Sequence, residues 1–164
     1  MNPQALTDKK KENLIIAVYI GLIFILLAVL YFINLSHSLW NSFVNFLSSF
    51  ALAPVLGTSI SLPAPAYPAS YTVLYTAVFQ FCLGMGIVEI AVLALRIGMR
   101  SPLPRKAETI ENMVFWLGTS YLAITYLANM TIVSEWFVFW AGIILIAGLS
   151  LTARAFVLIA GLHS

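Results

Sequence analysis

Glu89 and Arg154 are ionisable side chains set inside long apolar stretches of the chain. A charge in hydrocarbon is unfavourable by roughly 2.5–3.5 kcal/mol on insertion scales, so such residues pair, reach water, or mark a path for ions or protons. Each lies 18 residues from the start of its stretch, 71 to 89 and 136 to 154. At 1.5 Å per residue that is about 27 Å along a helix, near the far boundary of a hydrocarbon layer about 30 Å thick. Equal depth allows a Glu89–Arg154 pair, which is the expected contact. The other reading sends Arg154 to the headgroups, with Glu89 taking a proton or reaching water.

Other chemistry lacks residues. His37 and His163 fall on opposite sides of the membrane in the topology below, so they cannot share a metal or haem within one chain. Asp8 is the sole aspartate and sits in the N-terminal tail, which excludes a Ser-His-Asp constellation. Cys82 lies in apolar surroundings and reads as an inert thiol. Gly84 and Gly86 are inside a hydrophobic stretch, not between a strand and a helix, so they form no phosphate loop. The expectation is a non-enzymatic protein with no metal and no cofactor.

The elements that hold these residues are membrane helices. The chain is 62% hydrophobic and 9% charged, far below the quarter or so of charged residues usual in soluble domains. Its 164 residues allow a single membrane domain. Expected spans cover about 14–35, 71–95, 113–130 and 136–162, giving an all-α four-helix transmembrane bundle. Residues 1–13 form a polar tail, and the first span is an uncleaved signal anchor. Prolines 102 and 104 break the chain before the third span, whose helix is drawn from about Ala107 with Glu108 and Glu111 in its first turn.

The outer segment 36–70 contains no Lys, Arg, Asp or Glu. In its first half Ser38, Asn41, Ser42, Asn45, Ser48 and Ser49 share one helical face. Trp40, Phe43, Val44, Phe46, Leu47 and Phe50 share the other, which predicts an additional amphipathic helix capping the bundle. The second half carries Pro54, Pro63, Pro65 and Pro68 and predicts an extended connector.

Lys9–Lys11 and the loop 96–112, with Arg96, Arg100, Arg105 and Lys106, hold all basic residues but Arg154. The positive-inside tendency puts both termini and that loop in the cytoplasm of a multi-pass cell-membrane protein, its basic residues facing anionic lipid. Trp40, Tyr67, Tyr71, Tyr126, Trp136 and Trp140 gather at the opposite boundary, where aromatic rings prefer to sit. Basic residues that flank spans make no broad basic surface, so nucleic acid is excluded as a partner.

Small residues let helices approach closely in lipid. Ala77, Gly84, Ala91 and Gly98 recur every seven residues on the second span, and Ala141, Gly148 and Ala155 do so on the fourth. A second stripe on the second span runs Cys82, Gly86, Glu89, Leu93 and Arg96. The third span carries a polar stripe of Gly118, Tyr121, Thr125 and Asn129. The two small-residue stripes and this polar one are expected to point inward, with a homo-oligomer interface as the alternative use of at least one of these seams. Four spans, a long outer segment, and Glu89 ahead of Gly98 and Arg100 resemble the DoxX-like membrane proteins, and no function is carried over from that resemblance. The function expected is a subunit or scaffold whose partners are the bilayer and other membrane subunits or further copies of itself. The alternative is a small transporter or channel built on Glu89, Arg154 and the Tyr121–Thr125–Asn129 stripe.

Overall fold

The computed structural model describes residues 3–34, 39–130 and 132–162. His37, His163 and Thr131 lie outside the described residues, as do the side chains of Asp8 and Lys9. The order is α1 (Pro3–Ile33), α2 (Leu39–Ser48), β1 (Phe50–Pro54), β2 (Ser61–Pro65), a 3₁₀ turn (Pro68–Tyr71), α3 (Thr72–Gly98), α4 (Leu103–Leu122), a π turn (Ala123–Leu127) and α5 (Val133–Leu162). Among the described residues, three helices are long and apolar enough to cross a membrane: Lys10–Ile33, Pro68–Gly98 and Val133–Leu162. The expected third span is not one of them. The first half of α4 holds Arg105, Lys106, Glu108 and Glu111, and its α geometry stops at Leu122. The polar tail is part of α1, which is already helical from Pro3.

The helices pack in the order α1, α3, α4, α5, with the π turn touching α3, α4 and α5. α3 is the central span: 33% of its most apolar stretch is buried, against 6% for α1 and for α5. One core lies at the end that carries α2 and the hairpin, where Tyr71, Tyr75, Leu122, Leu127, Trp136 and Phe139 meet. A smaller one joins Ile15 of α1 to Val88 and Val92 of α3.

The proline-rich connector is a paired hairpin. β1 and β2 run antiparallel with Phe50 opposite Pro65, Leu52 opposite Pro63 and Pro54 opposite Ser61. The Val55 N–H donates to the Ile60 carbonyl and the Ala66 N–H to the Ser49 carbonyl. Antiparallel ladders alternate hydrogen-bonded and non-bonded pairs. All three prolines therefore fall on non-bonded positions, where a missing N–H is harmless. Gly57, at φ +78°, supplies the left-handed residue of the turn.

α2 forms where the helical period predicts it, but little of its aromatic face is covered. Trp40 is 73% exposed and Phe43 41%. Phe46 alone is set in an aromatic cluster, edge-on to Tyr71, Tyr75 and Trp136 at centroid distances of 5.3, 6.0 and 5.9 Å. The Tyr71 hydroxyl donates to the Asn45 carbonyl at 3.3 Å, and Trp136 Nε1 to the Pro63 carbonyl at 3.3 Å, fixing helix and hairpin to the bundle. Phe46→Ser is expected to lower stability in detergent by about 2 kcal/mol. Trp40→Ser should change it by less than about 0.5 kcal/mol. Equal melting shifts for the two variants would mean that α2 is not anchored through Phe46.

Candidate functional site

At the end of the bundle away from α2, charged residues of α1, α3 and α4 converge. α3 ends in a turn whose Ser101 N–H donates to the Arg96 carbonyl at 2.9 Å, with Arg100 in the left-handed region at φ 55°. Glycine is the usual occupant of such a position. The turn sends α4 back along α3, so that Arg105, Glu108, Thr109 and Asn112 face Glu89 and Arg96 across a cavity of about 220 Å³.

Glu89 is 2% exposed. The Tyr19 hydroxyl of α1 donates to Glu89 Oε1 at 3.0 Å, and Asn112 of α4 lines the same cavity as that carboxylate. Arg96 donates to Thr109 Oγ1 at 2.7 Å and to the Arg105 carbonyl, and Thr109 in turn donates to that carbonyl at 3.0 Å. The Arg96 guanidinium lies 3.9 Å from a Glu12 carboxylate oxygen of α1, with side-chain exposures of 11% and 18%. Arg96 Nε and Glu12 Oε1 are buried without a partner. One guanidinium thus meets a carboxylate of α1 and a hydroxyl and a carbonyl of α4, a clasp across three helices beside a small polar chamber that Glu89 also lines.

The expected Glu89–Arg154 pair is not made. Arg154 instead bonds Glu111 Oε2 at 2.9 Å, with side-chain exposures of 44% and 19%. α5 packs on α4, so the carboxylate within its reach is on α4, while Glu89 turns toward α1 and α4. Arg96 is likewise held in the clasp instead of facing lipid, whereas Arg100 and Arg105 are exposed and Lys106 half-buried. Arg105 pairs with Glu108 at 3.0 Å.

The inward stripes are corrected too. Tyr121, Thr125 and Asn129 are exposed. Thr125 donates to the Tyr121 carbonyl at 2.8 Å and Asn129 to the Ile124 carbonyl at 3.3 Å, so these side chains serve their own helix around the π turn. Ala141, Gly148 and Ala155 face outward, and α5 meets α4 through Gly142, placed against Leu122, and Ile146, placed against Gly118. On α3, Gly84 is pressed against Leu26 of α1 and Ala77 is half-buried, but Ala91 and Gly98 are exposed. The buried face is the other stripe, Cys82, Gly86 and Glu89.

Glu12, Tyr19, Thr109 and Asn112 were not singled out by the sequence reading, yet a signal existed. Glu12 and Tyr19, Glu89 and Arg96, and Arg105 and Asn112 are each seven residues apart. Two helical turns put each pair on one face of α1, α3 and α4. Among the described residues no group of three or more His, Cys, Asp and Glu side chains could hold a metal ion. No protein family matches the chain, and no curated protein or solved structure is similar to it at a significant level. The fold and site define a helical protein with several membrane-compatible helices and a polar clasp at one end.

Proposed function

We propose that the chain is a non-enzymatic, four-span cell-membrane protein that acts as a subunit or scaffold of a membrane assembly. In this reading α4 and the π turn are the third span, and both termini and the 96–112 loop are cytoplasmic, as the basic residues suggest. The observation that carries the reading is the outward stripe Ala141, Gly148 and Ala155 on α5. A Cβ added at Gly148 would meet nothing within 4 Å, and the stripe faces away from α4. Small residues in lipid favour close approach of another helix, here one from outside the chain. The clasp supports the same reading, because it spends its polar groups on tying α1 to α3 and α4.

Gly148→Leu tests it. The substitution has room within the chain, so the fold and melting temperature should be kept, while association in mild detergent falls at least about tenfold. The expected result is an oligomer or stoichiometric complex for the unaltered chain and an 18.0 kDa particle for the variant. A solitary 18.0 kDa protein before substitution, or an unchanged complex after it, would overturn the proposal.

The chamber beside Glu89 favours a second reading, a small transporter or channel. Ion flux in proteoliposomes that Glu89→Gln abolishes would support it. The outward-facing Tyr121–Thr125–Asn129 stripe supplies no inner continuation of the path.

A further inference from the structure

We infer that the face of α3 carrying Thr76 and Gln80 is a docking surface for the same face of a second copy of this chain. A groove of about 240 Å³ opens there between the end of α1 and the first half of α3. Ile33, Asn34, Thr72, Val73, Thr76 and Gln80 line it. Asn34 is 7% exposed, and its amide donates to the Leu30 carbonyl at 2.9 Å and to Gln80 Oε1 at 3.1 Å. Thr76 and Gln80, one helical turn apart, are only half-buried. Among the described residues, neither the Gln80 amide N–H groups nor the Thr76 hydroxyl donates a hydrogen bond. The exposed Thr125 and Thr152 differ, since each bonds the carbonyl four residues back on its own helix.

Depth restricts what can accept from Gln80. In the apolar helix Pro68–Gly98 it lies 12 residues from one end and 18 from the other, 68 to 80 and 80 to 98. That is about 18 and 27 Å along the axis. With this helix across a hydrocarbon layer about 30 Å thick, Gln80 is below the headgroups. Lipid tails offer no acceptor, so an amide with unspent donors there favours a hydrogen bond to another helix. A second copy in the same membrane orientation brings its own Gln80 to the same depth. An amide is donor and acceptor at once, and the Gln80 carbonyl oxygen has a second lone pair beside the bond from Asn34. Two copies related by a two-fold axis along the membrane normal therefore match, each Gln80 donating to the other. The groove is built with α1, whereas α5 packs on α4, so this surface is separate from the α5 stripe and stands without it. Held by few hydrogen bonds, it is a contact of the bilayer that mild detergent dissolves.

The experiment uses the full chain in lipid vesicles, with Thr76→Cys oxidised by copper–phenanthroline and the linked dimer read on a denaturing gel. Cys82 is buried, so the parent chain should give no linked dimer. Phe24→Cys, exposed on α1, measures chance collision and should link far less than Thr76→Cys. Adding Gln80→Leu to Thr76→Cys should lower the dimer yield about fivefold or more. Gln80→Leu also removes the acceptor for Asn34, so Asn34→Leu is the comparison: it should lower the melting temperature and leave the yield unchanged. Gly148→Leu, which disturbs the α5 stripe, should leave the yield unchanged as well. A second measurement needs no variant in the groove: energy transfer between labelled parent chains in vesicles should saturate with protein density, as a dimer requires. Transfer no greater than random mixing would leave lipid as the occupant and overturn the inference. So would equal yields from Thr76→Cys and Phe24→Cys, or a yield that Gln80→Leu does not change. A yield lost equally in Asn34→Leu would make Gln80 an internal tie only, and one lost in Gly148→Leu would move the contact to α5; either result also overturns it.

Discussion

Replacing Arg96 with leucine is expected to destabilise this protein more than a single change at any other charged residue among those described. The guanidinium lies 3.9 Å from a Glu12 carboxylate oxygen, lines the same cavity as Glu89, and has a side chain 11% exposed. Removing one member of a buried charge pair leaves the other uncompensated, which destabilises by about 3–5 kcal/mol. Glu89→Gln alone should be milder, because an amide can still accept from Tyr19, which now donates to Oε1 at 3.0 Å. The double variant, Arg96→Leu with Glu89→Gln, should recover part of the loss of Arg96→Leu, since one stranded carboxylate is gone. Arg154→Gln is the contrast. Its partner Glu111 and Arg154 itself are 19% and 44% exposed, so the change should be within about 1 kcal/mol. Thermal unfolding in detergent reads all four. If Arg96→Leu and Arg154→Gln shift melting equally, or if the double variant's loss is the sum of the singles, Arg96 is not the centre of a three-helix clasp.

Burial explains why Glu89 was legible in the sequence and its partner was not. A carboxylate in an apolar helix announces itself by composition, and depth can be counted along the chain. The partner depends on which helices are neighbours, and composition does not encode that. α5 packs on α4, so Arg154 meets Glu111 while Glu89 is left to α1 and α4. The same ignorance of neighbours misplaced the small-residue stripes: Gly84 has Leu26 against it, whereas Gly98 and Gly148 have open space. Hydropathy located α1, α3 and α5, because long apolar blocks need no tertiary information. It drew the third span across the π turn at Ala123–Leu127, where the Ala128 N–H reaches back five residues to the Ala123 carbonyl at 2.9 Å. No proline or glycine marks that change. The hairpin was hidden by its own prolines, which argue against pairing until their two-residue spacing is set beside the alternation of an antiparallel ladder.

Gly86→Leu is the second change with a large expected effect, and it tests the seam that makes α3 the central helix. Gly86 is buried, and a Cβ placed on it would run into the Leu117 side chain of α4, with the Leu117 backbone nitrogen 3.5 Å away. Alanine there has one escape, a rotamer change at Leu117, so a loss of about 1 kcal/mol is expected. Leucine has none, and must push α3 and α4 apart or displace Leu117 altogether. Overpacking of this kind destabilises by about 1–3 kcal/mol and occasionally more. The upper part of that range is expected, because Glu89 and Asn112 sit on the same two helices and line one cavity close by, which a shift at Gly86 also disturbs. Gly21, in the middle of α1, is the internal control, since nothing lies within 4 Å of its missing Cβ. Gly21→Ala should raise stability by about 0.5–1 kcal/mol through helix propensity alone. Gly21→Leu should likewise be tolerated. Melting temperatures in detergent for these four variants decide the matter: if Gly86→Leu is tolerated as well as Gly21→Leu, α3 and α4 are not in close contact at this seam.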